Sequence, residues 1–276
     1  MSLVGCFVTP HPPIVVPVVG GRRLGQVAAT AEALRALGEQ ARHLRPDAIA
    51  LMSPHARLDP GRMGVSTCSR YEGSLAYFGA PEVHVALEGA PGLAQAILSQ
   101  AAARGVAAAP IPARGGILEL DHGSLVPLVY LLEHLDPLPS LVLLSFSDLS
   151  APAHLTFGRA VGAAADGAAD RVLYVASGDL SHRLTPDAPA GYNPRAADFD
   201  RAVVDALAAG SEEALLGIPP RLQHDAGECG YRSLLTLFGL LSGREFKPRV
   251  LSYEGPFGVG YLVAAIELAA PAAAST

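Results

Sequence analysis

Residues 3–13 read Leu-Val-Gly-Cys-Phe-Val-Thr-Pro-His-Pro-Pro. The apolar run Leu3–Thr9 is the pattern of a buried β-strand, and the prolines that follow cannot continue a ladder because proline has no N–H to donate. His11 therefore stands just past the end of the first strand. The same grammar recurs along the chain. Asp47–Ser53 (DAIALMS) ends in Pro54-His55, and Arg171–Ser177 (RVLYVAS) leads through Gly-Asp-Leu-Ser to His182. Ser140–Phe146 (SLVLLSF) is a fourth apolar strand, and Gly64–Thr67, Glu82–Leu87, Arg249–Tyr253 and Val259–Glu267 complete the set. Between them lie stretches with helical spacing: Leu24–His43, Gly92–Arg104, Ala151–Asp166, Ala196–Ala209 and Gly227–Leu241. A further helix starts from a cap at Asp121 or Ser124, runs to about His134, and tolerates Pro127 near its start. Strands alternating with helices predict an α/β fold, with a central, mostly parallel or mixed β-sheet flanked by helices. No repeat and no long Pro/Gly/Ser linker divides the chain, so one domain is expected over residues 1–268, with 269–276 as a disordered tail.

Composition narrows the function. With 20 Lys+Arg against 26 Asp+Glu, a formal net charge of −6 and no basic run, a nucleic-acid partner is not expected. Charged residues make up 17% of the 276, below the usual quarter, which implies much buried surface and leaves room for the interface of a homo-oligomer. Lys247 is the only lysine, in the polar stretch GREFKPR, so Schiff-base chemistry has a single candidate in an exposed setting. Cys6, Cys68 and Cys229 are odd in number and widely spaced, and form neither a disulfide framework nor a CxxC zinc motif. A reducing cytoplasm is the simplest compartment. The amino terminus lacks a basic flank and Pro10, Pro12 and Pro13 break its apolar run, so neither a signal peptide nor a membrane span is expected.

In open α/β sheets ligands bind beyond the carboxyl ends of the strands. That is where the contexts TPHPPI, LMSPHAR, LDHGSLVPL and SGDLSHRL put His11, His55, His122 and His182; His224 precedes a helix expected to open with Glu228. Two histidines and one carboxylate form the facial triad of non-haem Fe(II) oxygenases. His11 and His55 follow strands expected to be neighbours, and Glu228 is the best carboxylate, since a charge aimed into a core needs a partner that a metal can provide. A single strand-end histidine reads first as a solvated or backbone-bonded imidazole, whereas both together with Glu228 read as a metal site. Asp179, three residues before His182, can orient that ring and raise its basicity for general acid–base work; it can also be a helix N-cap with His182 in the first turn. His122, at a helix start, is a donor to a bound anion or oxygen, or a polar residue of the cap. Cys229 is a ligand, a nucleophile or core packing. His43, His84, His134 and His154 lie in contexts that read as solvated. The glycines of Gly255–Tyr261 (GPFGVGY) read as a tight turn into the last strand, because no strand–GxGxxG–helix unit surrounds them.

In their order and intervals, His11, His55, His122, His182 and Glu228 resemble the class III extradiol dioxygenases, the family of the β subunit of protocatechuate 4,5-dioxygenase. The opening PHPPIVVP and the ending SYEGPFGVGYLVA resemble the branch associated with AMMECR-type and Memo proteins. The resemblance spans nearly the whole chain. It implies Fe(II) on His11, His55 and Glu228, His182 as acid–base catalyst, and His122 near the bound dioxygen or substrate. It also implies a catechol-type aromatic diol and O2 as reactants. The Memo-type branch uses a cysteine near the third ligand position, so Cys229 stands as the alternative to its neighbour Glu228. Two other functions fit the same residues: a zinc-dependent hydrolase with His182 as base, and a Memo-like metal-binding protein without dioxygenase turnover. The loop from Arg57 to Ala80 is expected to shape the entrance to the site.

Overall fold

A computed structural model describes residues 2–269. The strands are β1 (Leu3–Thr9), β2 (Ala48–Met52), β3 (Met63–Ser66), β4 (Arg70–Leu75), β5 (Ala80–Glu88), β6 (Ala108–Ile111), β7 (Ile117–Glu119), β8 (Ser140–Ser145), β9 (Val172–Ser177), β10 (Phe246–Glu254) and β11 (Tyr261–Leu268). The helices are α1 (Pro17–Gly20), α2 (Ala28–Leu44), α3 (Pro91–Ala103), α4 (His122–Leu132), α5 (Ala151–Gly167), α6 (Ala196–Ala208), α7 (Glu212–Leu216), α8 (Pro220–Ala226) and α9 (Tyr231–Leu241). The main sheet has eight strands in the order β10-β11-β1-β9-β2-β8-β3-β6, and a three-stranded sheet, β5-β4-β7, lies beside it. β1, β9, β2 and β8 run parallel to one another, whereas β11 and β3 pair antiparallel on either side. The fold is thus α/β, a single domain with a mixed central sheet. The expected tail lies, from residue 270 on, outside the described residues.

Successive side chains on a strand point to opposite faces, and this alternation builds two cores. Cys6, Val8, Ala48, Ala50, Met52, Tyr174 and Ala176 face α5 and α9. Phe7, Ile49, Leu51, Leu173 and Val175 face α2 and α4. Ser177 continues the second series, so the polar residue that ends β9 is turned toward α4. On the first face, Gly158 and Gly239 let α5 and α9 approach until a Cβ on either would collide with the other helix's backbone. That contact fixes α9 and, with it, the segment Glu228–Gly230 just ahead of it.

Two expectations change here. β1 and β2 are not neighbours: β9 lies between them and pairs with both. The helix expected over Gly227–Leu241 starts later, and a separate helix precedes it. Gly227 closes α8 in the left-handed conformation (φ 63) and α9 begins only at Tyr231. Proline at the first helical position and glycine just past the last were the available signals for α8.

Candidate metal centre

The parallel strands deliver His11, Ser177 and His55 to one end of the sheet, from β1, β9 and β2 in spatial order. The first turn of α4 supplies His122 from the α2/α4 face. Asp121 caps that helix, accepting the N–H of Ser124 at 3.0 Å, and loss of such a cap by replacement with alanine costs about 1 kcal/mol. The same Asp121 oxygen accepts Ser53 Oγ at 2.6 Å, while the His55 N–H reaches Ser53 Oγ at 3.2 Å. The exit of β2 and the start of α4 are therefore tied together. Gly123 makes the fit possible, since a Cβ there would fall 2.5 Å from Ser53 Oγ and 3.1 Å from the His55 ring.

The outcome is a cluster in which one nitrogen from each of His11, His55 and His122 lies within 4.8 Å of the others. The Nε2 atoms of His11 and His55 are 3.1 Å apart. Nitrogens bound at about 2.0–2.1 Å to one zinc-sized ion lie at most about 4 Å apart, so this pair fits a shared ion. His11 is 2% exposed, His122 half-buried and His55 exposed, so the cluster opens outward on one side. Burial, and then the neighbouring His55 and His122, hold the His11 pKa well below 6.5; burial and His55 lower that of His122. Both rings are thus kept in the neutral form that binds metals. His11 Nδ1 contacts Ser177 Oγ at 3.0 Å, and the His11 backbone N–H donates to Asp179 Oδ1 at 2.9 Å. The mouth carries aromatic rings from a one-turn 3-10 helix, Ala76–Phe78, in the loop expected to shape the entrance. The Phe78 ring centre is 5.4 Å from that of His122, and Tyr77 beside it is 93% exposed.

Residues 5–264 match the family described as the catalytic LigB subunit of aromatic ring-opening dioxygenase. The chain belongs to the LigB family. A curated relative, Protein CA_C1420 of Clostridium acetobutylicum, is 34% identical over 274 residues, which is 97% of this chain. The chain spans 58% of that relative's length. The fold is similar to the crystal structure of the uncharacterized protein JW3007 from Escherichia coli K12, with a TM-score of 0.59 and 21% identity, covering 96% of this chain and 99% of that one.

Within this LigB-family site the sequence-predicted residues fall into two groups. His11, His55 and His122 converge. Glu228 is not brought to the imidazole cluster: its Oε2 accepts the Tyr231 N–H at 2.6 Å and so caps α9. The physical reason is that α9 starts three residues later than expected, with its first N–H groups in need of an acceptor. Burial pushes the Glu228 carboxyl up to about 7. Cys229 lies in the connection between α8 and α9. Its Sγ is 3.9 Å from His11 Nε2 and accepts the Asp179 N–H at 3.3 Å. Burial and then Asp179 push the thiol pKa up, which disfavours a free nucleophilic thiolate.

Asp179 does not hold His182. Its Oδ1 serves the His11 backbone and its Oδ2 is 3.8 Å from His11 Nε2, which makes it the carboxylate within ion-pair distance of the cluster. Nor is it a helix cap, since residues 178–184 form a loop and α6 begins at Ala196. Burial raises the Asp179 pKa, against the His11 backbone hydrogen bond and then nearby His182, which lower it. The His182 backbone N–H donates to Ala226 O at 3.0 Å, but its buried Nδ1 has no hydrogen-bond partner among the described residues. His224 is on α8 with its side chain 80% exposed, away from any such role. His154, read as solvated, is fully buried in α5. Ser177 and Phe78 are the site residues that sequence reading missed. The period-two pattern of β9 contained the signal for Ser177; nothing local marked Phe78.

Proposed function

We propose that this LigB-family chain opens the ring of a catechol-type aromatic diol with O2, using one Fe(II) per chain held by His11 and His55 with His122 beside them. The observation that carries the reading is the pair of imidazole nitrogens 3.1 Å apart at the carboxyl ends of the parallel strands, within a family of aromatic ring-opening dioxygenases. Imidazole donors suit Fe(II), zinc and copper alike; O2-dependent ring opening, the chemistry in the family's description, is what favours iron in this reading. Bound there, Fe(II) supplies open coordination positions and Lewis acidity toward the oxygens of a diol.

The chain's own residues do the rest. Burial keeps His11 and His122 neutral, and Asp179 fixes the His11 backbone. His182 is the proton carrier. With no acceptor at its buried Nδ1, the neutral ring keeps its proton on Nε2, from which it can be given and to which it can return. The Phe78 ring packs beside His122 and gives an aromatic substrate a wall. Glu228 stands outside the gathered imidazoles, with its Oε2 accepting the Tyr231 N–H. The setting is a reducing cytoplasm, in keeping with free Cys6, Cys68 and Cys229; no helix among the described residues is long and apolar enough to cross a membrane.

The second reading is a zinc-dependent hydrolase, favoured by one observation: the gathered set is three imidazoles without a carboxylate, a donor set that also makes a catalytic zinc site. Anaerobic ferrous titration followed by O2 uptake with a panel of catechols separates the two. Ferrous-dependent O2 uptake with a catechol supports ring opening. Zinc in protein purified without added metal, with no uptake after ferrous loading, supports hydrolysis.

A further inference from the structure

In an α-helix the carbonyl of residue i accepts the N–H of residue i+4. In α4 the carbonyl of Gly123 would accept from residue 127, which is Pro127 and has no N–H. The helix therefore leaves this carbonyl free. Ser177, buried at the end of β9, takes it: Ser177 Oγ donates to Gly123 O at 2.6 Å. A serine hydroxyl has one proton. With that proton committed to Gly123, the 3.0 Å contact between Ser177 Oγ and His11 Nδ1 is one in which the imidazole donates. His11 then carries its ring proton on Nδ1 and a lone pair on Nε2, the atom that faces His55 Nε2. An unconstrained neutral histidine in water favours the opposite tautomer.

We propose that Pro127 and Ser177 form a relay that preselects the metal-binding tautomer of His11. A missing N–H in one helix turns the Ser177 hydroxyl, and the hydroxyl turns the proton of a ring on another strand. Ser177 also joins the two ligand segments, since the carbonyl it holds follows His122 directly. These are positioning roles, because neither residue touches the cluster's ligand nitrogens. The consequence for metal affinity rests on the metal-centre reading above; the tautomer itself does not.

The test is ring-nitrogen NMR of the metal-free, histidine-labelled full chain, with zinc affinity measured in parallel by chelator competition. The parent should show His11 protonated at Nδ1. In Pro127→Ala the new N–H reclaims Gly123 O and frees the Ser177 proton, so the His11 signals should shift toward a mixture of tautomers and zinc should bind several-fold more weakly. Alanine is a strong helix former, so this variant keeps α4 intact. Ser177→Ala should lose about 10- to 100-fold in zinc affinity, the usual size for a partner of a metal-binding histidine. A parent protein with the His11 proton on Nε2 would overturn the relay, as would a Pro127→Ala tautomer identical to the parent's. Parent protein with the Nδ1–H tautomer but no affinity for zinc would support the relay and refute the metal-centre reading.

Discussion

His11 and His182 belong to the same end of the sheet and are held in opposite ways. The His11 ring is 2% exposed, with Nδ1 on Ser177 and its backbone N–H on Asp179. His182 is anchored through its backbone to Ala226, while its Nδ1 is buried with no partner among the described residues. A ring whose polar atoms are all assigned is a fixed ligand. The His182 ring has a nitrogen that no neighbour among the described residues holds, which fits its proposed part as the group that passes a proton. On the proposed function, this contrast corresponds to metal holding by His11 and proton handling by His182.

The largest expected effect is on the fixed side. His11→Ala combined with His55→Ala should abolish iron binding while the circular dichroism spectrum stays that of the parent, because both side chains lie beyond the strand ends and outside the two cores. Iron retained at parent stoichiometry would break the comparison. On the unpartnered side, His182→Ala should keep its iron and slow ring opening by about 10²-fold or more, the scale of general acid–base help. A variant that turns over at the parent rate, or that loses its metal, would erase the distinction between the two histidines.

Much of this was legible in the sequence. The strands ending in His11 and His55 and the strand ending in Ser177 are uniform apolar runs cut off by proline or glycine, and their positions hold to within a residue or two. The convergence of His11 and His55 follows from the rule that parallel strands deliver their carboxyl ends to one edge, whereas His122 arrives from the first turn of α4. What the sequence hid is relational. Nothing in residues 3–55 says that β9 inserts between β1 and β2, because strand order is set by helix packing across the whole sheet. Glu228 was misplaced because a helical apolar pattern does not reveal its first residue, and the true start at Tyr231 turns the carboxylate into a cap. Asp179 was given to His182 because they are close in sequence. Its carboxylate goes instead to a residue 168 positions away.

The smallest effect sharpens the account of the His182 loop. Asp200 is fully buried, accepts the Ser181 N–H at 2.8 Å and the Tyr253 hydroxyl at 2.7 Å, and so braces the residue before His182. Burial pushes its pKa up to about 6 from 3.8. The folded protein therefore holds this proton more tightly than the unfolded chain. Its contribution is fully present below pH 3.8 and is lost as pH rises to about 6, by up to about 3 kcal/mol. Asp200→Asn, which keeps an acceptor for Ser181, should remove that slope from urea-unfolding free energies measured between pH 4 and 6. Parent and variant curves that run parallel would contradict it.

The central claim is that the metal is held by the gathered imidazoles, with the Glu228 carboxylate engaged at the start of α9. Anaerobic equilibrium dialysis against ferrous iron, followed by metal analysis of the parent, His122→Ala and Glu228→Ala proteins, tests it most directly. The account predicts one iron per parent chain, at least about a tenfold loss of affinity in His122→Ala, the upper range for losing a metal-supporting residue being larger still, and nearly unchanged binding in Glu228→Ala. Iron lost from Glu228→Ala and retained by His122→Ala would contradict it.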